Sequence, residues 1–147
     1  MATYYRIHNK GGWRHDENVA HAAVSPGNIL ELNSDNEVLR YATENGAPPS
    51  GRLIAIEDAL QGKEVTDDYA ADDIVMVAVA DAGSEWNLLV AAGAVLTIGE
   101  SLISDGNGCL QSADDVPSGE TAEVIAVSLE EFTVDSGEAE LVHVRII

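Results

Sequence analysis

Residues 90–111 read VAAGAVLTIGESLISDGNGCLQ and contain two apolar runs separated by a corner and followed by a turn. The first run, residues 95–98, stops at Gly99, and the second, residues 102–103, stops at the DGNG sequence of residues 105–108. Asp-Gly and Asn-Gly pairs tolerate the positive φ angles of short hairpin turns. The stretch therefore predicts strand, corner, strand, turn and strand in the wall of a small barrel.

The rest of the chain repeats this pattern of short apolar segments bounded by turn residues. Residues 74–80, IVMVAVA, form the most uniformly apolar segment, which predicts a strand covered on both faces. Further strands are predicted at residues 28–33, 37–42, 52–56, 85–90, 121–129 and 138–147. About eight short strands with hardly any helix are typical of an all-β barrel or sandwich.

Size and composition favour a single small domain. The chain has 147 residues, of which 46% are hydrophobic but only 5% aromatic, so Val, Ile, Leu and Ala must supply most of the core. No apolar run approaches the ~20 residues of a membrane-spanning helix, and no membrane association is expected. Cys109 is the single cysteine, which excludes an internal disulfide and a cysteine-based zinc site. We expect a buried thiol.

Charge is distributed unevenly along the chain. There are 26 Asp and Glu residues against 7 Lys and Arg, giving a net charge of -19, yet residues 1–15 contain three bases and no acid. The pattern indicates a basic segment attached to a strongly acidic body. Adaptation to molar salt would explain the acidity and the presence of only two lysines, Lys10 and Lys63; ordinary acidic solubility is the alternative.

Residues 1–22 have neither helical periodicity nor strict alternation, and they hold three of the chain's seven aromatic residues. Aromatic side chains and Arg are common in interface hot spots. We therefore predict an extended N-terminal arm over residues 1–22 and a β domain over residues 23–147. An edge strand folded onto its own body is the alternative. His15 and His21 have no third ligand nearby, so no metal site is predicted there.

Seven carboxylates fall between residues 57 and 73, but the stretch lacks the ordered ligand spacing of a cation loop, and the loop that starts at Asp105 does not fit an EF-hand. No catalytic, cofactor-binding or metal site is predicted, because the nucleophile-elbow, phosphate-loop and zinc-protease motifs are absent. Nucleic acid is an unlikely class of partner for so acidic a body, since the basic segment offers few phosphate contacts.

Several short motifs, none of them specific by itself, follow one another in an order that resembles that of one protein family. Residues 27–43 read GNILELNSDNEVLRYAT, residues 59–69 carry ALQGKEVTDDY, residues 91–93 are AAG, and residues 98–110 read IGESLISDGNGCL before the closing VHVRII. Over residues 27–147 this succession resembles the head decoration, or capsid cement, proteins of tailed viruses. The acidity and scarce lysine fit a virus of a halophilic archaeon.

The resemblance implies a small β-barrel or β-tulip-like module on the outer capsid surface, assembled in the host cytoplasm. It would bind the major capsid protein as a homotrimer at local three-fold sites and stabilise the shell, with the arm reaching along it. Deleting residues 2–14 is then expected to abolish capsid retention and leave a folded body. Rival functions are an acidic DNA-mimic inhibitor and a calcium-dependent binding module. The predicted contact residues are Tyr4, Tyr5, Arg6, Lys10, Trp13 and Arg14.

Overall fold

The computed structural model describes residues 4–147, and these form short strands with two 3-10 turns. The strands are β1 (His8–Lys10), β2 (Trp13–Val19), β3 (Ile29–Leu32), β4 (Val38–Arg40), β5 (Leu53–Ile56), β6 (Ile74–Ala80), β7 (Glu85–Val90), β8 (Val95–Leu96), β9 (Ser101–Ser104), β10 (Leu110–Ser112), β11 (Ala126–Ser128), β12 (Phe132–Thr133) and β13 (Glu140–Ile146). The 3-10 turns are Ala59–Gln61 and Ala113–Asp115. No helix in this part of the chain is long and apolar enough to cross a membrane. The all-β prediction is confirmed.

Five strands close into a barrel in the order β7-β10-β9-β11-β13. The ring is completed by β13, which pairs antiparallel with β7 from Glu140 opposite Val90 to Arg145 opposite Glu85. The predicted hairpin forms: β9 and β10 pair antiparallel across the turn of residues 105–109. The barrel prediction is confirmed, and the DGNG turn lies at one of its hairpins.

The sequence predicts that residues 95–98, the first apolar run of the opening stretch, belong to the barrel wall. In the structure they do not. Strand β8 pairs with β12 over two residues in a separate small sheet. Leu96 is buried, but Val95 is 65% exposed and Ile98 is 70% exposed. The run directs one side chain into the core and leaves its neighbours in solvent, a difference that the apolar composition of residues 95–98 does not reveal.

The second sheet has the order β2-β6-β5-β3-β4, and all of its neighbouring strands are antiparallel. Its two faces belong to two hydrophobic clusters. Ile54 and Ala78 join the larger cluster, which includes the barrel residue Trp86, whereas Ala55 and Val77 join the smaller one. One face of the sheet therefore packs against the barrel, and the prediction that residues 74–80 are covered on both faces is confirmed for the middle of β6.

The extended N-terminal arm is not confirmed. Strand β2 pairs with β6 along its whole length, from Trp13 opposite Ala80 to Val19 opposite Ile74, and β1 pairs with β7. Both are edge strands in the order of their sheets, which is the alternative considered for this segment. The physical reason is apolar burial, because Ile7 is fully buried in the larger cluster and Trp13 packs against it.

The DGNG turn is held by its first carboxylate. Asp105 Oδ1 accepts hydrogen bonds from the amides of Asn107 at 2.7 Å and Cys109 at 3.1 Å. Cys109 is buried, as expected. Burial, reinforced by the charge of Asp105 and opposed by that of Arg40, raises the pKa of the Cys109 thiol to about 12. The cysteine is therefore a packing residue that stays protonated at ordinary pH.

Candidate contact surface

The backbone just before β1 is fixed to the rest of the protein by one buried side chain and two hydrogen bonds of Ile7. The Ile7 side chain has no exposed surface. Its amide donates to Glu57 Oε2 at 3.2 Å, and its carbonyl accepts from the Asn87 amide at 2.7 Å. The residues on either side of Ile7 therefore have a defined position on the protein surface and do not belong to a free chain end.

Asn87 completes this attachment with its side chain. Its Nδ2 donates to the Arg6 carbonyl at 2.8 Å and to Asn9 Oδ1 at 3.2 Å, while Asn9 Nδ2 donates to Asn87 Oδ1 at 2.8 Å. Asn87 is 1% exposed, so without the N-terminal segment a buried amide would lose these partners. In the sequence Asn87 is only a polar residue within an apolar strand, and nothing about it signals this role.

The side chains of two of the six predicted contact residues pack against or bond to the body of the protein. The Tyr4 hydroxyl donates to Glu130 Oε1 at 2.8 Å. Burial, followed by the hydrogen bond to Glu130 and its negative charge, raises the pKa of Tyr4. The Trp13 ring packs edge-to-face on Trp86 with 6.0 Å between centroids. Tyr4 and Trp13 thus hold the segment to the body.

The other four predicted contact residues are exposed: Tyr5, Arg6, Lys10 and Arg14. Tyr5 is 85% exposed, the highest value for an aromatic side chain in the described residues. Lys10 lies opposite Glu85 in the β1–β7 ladder, whereas Arg14 lies on β2 in the other sheet. The six residues therefore lie just before β1, on β1 and on β2, which are edge strands of two different sheets, and four of the six are exposed.

A second surface feature is an acidic cleft of about 700 Å³ beside β2 and β6. Its carboxylates belong to Glu17, Asp58, Asp67, Asp68 and Asp73. Lys63 is the one base among the described residues that line it. Within residues 4–147 no group of three or more His, Cys, Asp and Glu side chains is arranged to hold a metal ion. The cleft is strongly negative without being a preformed metal centre.

Tyr69 lies in the wall of this cleft. Its hydroxyl donates to the Ile56 carbonyl at 2.6 Å, and its side chain belongs to the smaller hydrophobic cluster. Burial raises the pKa of Tyr69 to about 12; the nearby charges of Asp58, Glu57 and Asp73 act in the same direction, and the Met76 amide opposes them. Of these carboxylates, Asp58 and Asp73 also line the cleft.

This pKa predicts a loss of stability at high pH. Tyrosine ordinarily titrates near 10.0, so between about pH 10 and pH 12 the unfolded state releases the Tyr69 proton while the folded state retains it. The free energy of unfolding should fall across that range. We expect urea titrations at pH 9, 10 and 11 to show a steeper decline for the wild type than for Tyr69→Phe. Parallel declines would contradict the assignment to Tyr69.

Comparisons with known proteins concern the fold. The chain matches no protein-family model, and no curated protein sequence is significantly similar to it. Among solved structures it is similar to the head fiber gp8.5 N base of bacteriophage phi29, with a TM-score of 0.58 and 20% sequence identity. The two chains share a fold. Because the match covers 92% of this chain and 95% of the phi29 chain, the similarity includes both sheets and is not restricted to the barrel.

Proposed function

We propose that the protein is a structural, non-enzymatic component of the head of a tailed virus. The observation that carries the proposal is the fold shared, over nearly the whole of both chains, with the head fiber gp8.5 N base of bacteriophage phi29. The resemblance of residues 27–147 to head decoration proteins supports the same assignment from the order of sequence motifs. The proposed location is the outer surface of the shell, with the major capsid protein as partner.

In this proposal the exposed residues of the N-terminal segment contact the shell. Tyr5, Arg6 and Lys10 project from backbone that is anchored by Ile7 and Asn87, so little backbone conformational freedom is lost when they bind. Residues 1–15 carry no acid on a chain of net charge -19, which makes this segment the part least repelled by an acidic shell. Arg14, on β2 of the second sheet, is the fourth exposed residue of the proposed contact set.

We also propose that the protein acts as a homotrimer at local three-fold sites and reinforces the shell there. A chain of charge -19 repels its own copies at low salt, whereas the Debye length falls to about 3 Å at 1 M salt. The exposed side chains of Val95 and Ile98 offer apolar contact area for such an assembly. Sedimentation velocity in molar salt should give a trimer mass that decreases on dilution into low salt.

Co-sedimentation with undecorated shells of the virus, in molar salt, tests the function. The wild type should pellet to saturation at a whole-number ratio to local three-fold sites. A variant with Tyr5, Arg6, Lys10 and Arg14 all changed to Ala should lose pelleting, whereas Arg40→Ala, which removes an exposed arginine on β4, should retain it.

Three outcomes would count against parts of this proposal. If the wild type fails to pellet at any salt concentration, the head-protein assignment is wrong, and competition with DNA for a nucleic-acid-binding protein becomes the next experiment. If the fourfold variant pellets like the wild type, the shell is bound by another surface. If Arg40→Ala fails as well, the binding depends on overall charge and not on the N-terminal segment.

A further inference from the structure

One carboxylate in the acidic cleft is buried without a hydrogen-bond partner. In the described residues, the buried side-chain atoms that lack a partner are Arg52 Nε, Asp58 Oδ1, Glu100 Oε2 and Glu140 Oε2. Of these residues only Asp58, with 7% exposure, is more than nine-tenths buried. Removing a carboxylate oxygen from water without a hydrogen-bond partner is unfavourable, and pairing with a cation would offset that cost.

The local backbone offers Asp58 a partner that it does not use. Asp58 occupies the N-cap position of the 3-10 turn Ala59–Gln61, where an Asp side chain commonly accepts a hydrogen bond from a turn amide, yet its side chain makes no cap hydrogen bond. Neighbouring carboxylates behave differently. Asp67 accepts from the Glu64 amide at 2.7 Å, and Asp73 accepts from the Ala70 amide at 2.8 Å. Asp58 therefore lines the cleft without a cap hydrogen bond to its own turn.

The border of the cleft is partly apolar. Ile74 and Met76 line it, and Ile74 is 56% exposed. Carboxylates beside apolar side chains suit a long side chain that has an aliphatic stem and a cationic head, because such side chains bury the stem along apolar surface while the head is paired.

We propose that the cleft receives an arginine side chain of a protein partner, with Asp58 pairing its guanidinium. A guanidinium presents five donors in a planar fork and is weakly hydrated, so it suits a buried carboxylate better than a compact ammonium does. A bare divalent cation fits less well, because the cleft is about 700 Å³ and no three metal-ligating side chains converge within residues 4–147. Since this inference rests on the proposed function, the partner is the shell protein.

Binding of a small probe tests the cleft without any shell. In ¹H–¹⁵N spectra, N-acetyl-arginine amide should shift the amide signals of Asp58, Tyr69 and Met76 to saturation, and the neutral isostere N-acetyl-citrulline amide should not. Asp58→Asn should weaken binding by about tenfold or more. Asp135→Asn, an exposed carboxylate in the turn before β13, should leave binding unchanged. The dispersion of the amide signals reports whether each variant is folded.

Asp68→Asn, at an exposed position in the same cleft, replaces Asp58→Asn if that variant unfolds, and it should weaken binding in the same direction. Three results would overturn the inference. These are equal shifts with the citrulline probe, equal affinities for the cleft variants and Asp135→Asn, or the same signals saturating with CaCl₂ alone and reverting on chelation.

Pelleting with shells then separates this inference from the function on which it rests. Reduced pelleting of Asp58→Asn, with Asp135→Asn unchanged, supports the cleft as the receptor for the shell arginine. If the wild type and Asp58→Asn pellet equally, the cleft is not part of the shell contact, and the head-protein function is unaffected. If the wild type does not pellet, the function fails, and a positive arginine titration would then assign the cleft to a different protein partner.

Discussion

Ile7→Ala is expected to lower the free energy of unfolding by about 2–5 kcal/mol, the range for truncating a buried isoleucine. Ile7 has no exposed surface and lies in the larger hydrophobic cluster with Trp86. Its loss would leave a cavity at the point where the N-terminal segment meets the barrel. Denaturant unfolding in molar salt, followed by the fluorescence of the two tryptophans, measures the change.

Tyr5→Ala is the matched control, two positions away on the same segment. Tyr5 is 85% exposed, so its truncation should change the free energy of unfolding by no more than about 0.5 kcal/mol. Stabilities of Ile7→Ala and Tyr5→Ala that agree within error would show that the segment is detached in solution, as the arm interpretation required.

The same burial alters the expectation for removal of residues 2–14. That deletion was expected to leave a folded body. It would in fact withdraw Ile7 from the core, strip the partners from the Asn87 side chain and remove β1 together with Trp13. If the truncated protein failed to bind shells, the cause could be unfolding or the loss of contact residues. The point variants are therefore the better test.

The barrel could be predicted because its signals are local. The DGNG turn needs positive φ at Gly106 and Gly108, and both glycines adopt it, with φ of 83° and 77°. The alternation of the final strand places Val142 and Val144 inside, as the sequence indicates. Strand β6 could be predicted because each of its two faces packs in a hydrophobic cluster, which requires an apolar residue at nearly every position of the strand.

The N-terminal strands and the acidic cleft could not be predicted because their signals are not local. Strand β2 reads WRHDENV and shows no alternation of apolar and polar residues, because only Trp13 and Asn18 contribute to buried surface. Its partner strand, β6, lies about sixty residues later in the chain. Seven carboxylates between residues 57 and 73 look alike in sequence. Only the packed chain distinguishes Asp58, which is buried and unpaired, from Asp67, which is exposed and bonded to its own loop.

Gly108→Ala is expected to lower the free energy of unfolding by about 2–5 kcal/mol, since a positive φ and a steric clash act together. Gly108 has a φ of 77°, and a Cβ placed on it would lie 2.8 Å from Arg40 Cβ and 3.1 Å from Asn28 Nδ2. The glycine cannot move aside easily. Its amide donates to the Tyr41 carbonyl at 3.0 Å, and its carbonyl accepts from the Ile29 amide at 2.8 Å.

Gly137→Ala separates these two contributions. Gly137 has a similar φ of 85°, but a Cβ placed there would have no described neighbour within 4 Å, so only the conformational term of about 1–2 kcal/mol applies. The excess loss in Gly108→Ala, measured by the same denaturant titration, reports how closely the β9–β10 turn of the barrel approaches β3 and β4. If the two variants lose equal stability, the sheets are not in close contact at Gly108. A larger loss at Gly108 would establish that the DGNG turn both closes the hairpin and joins the barrel to the second sheet.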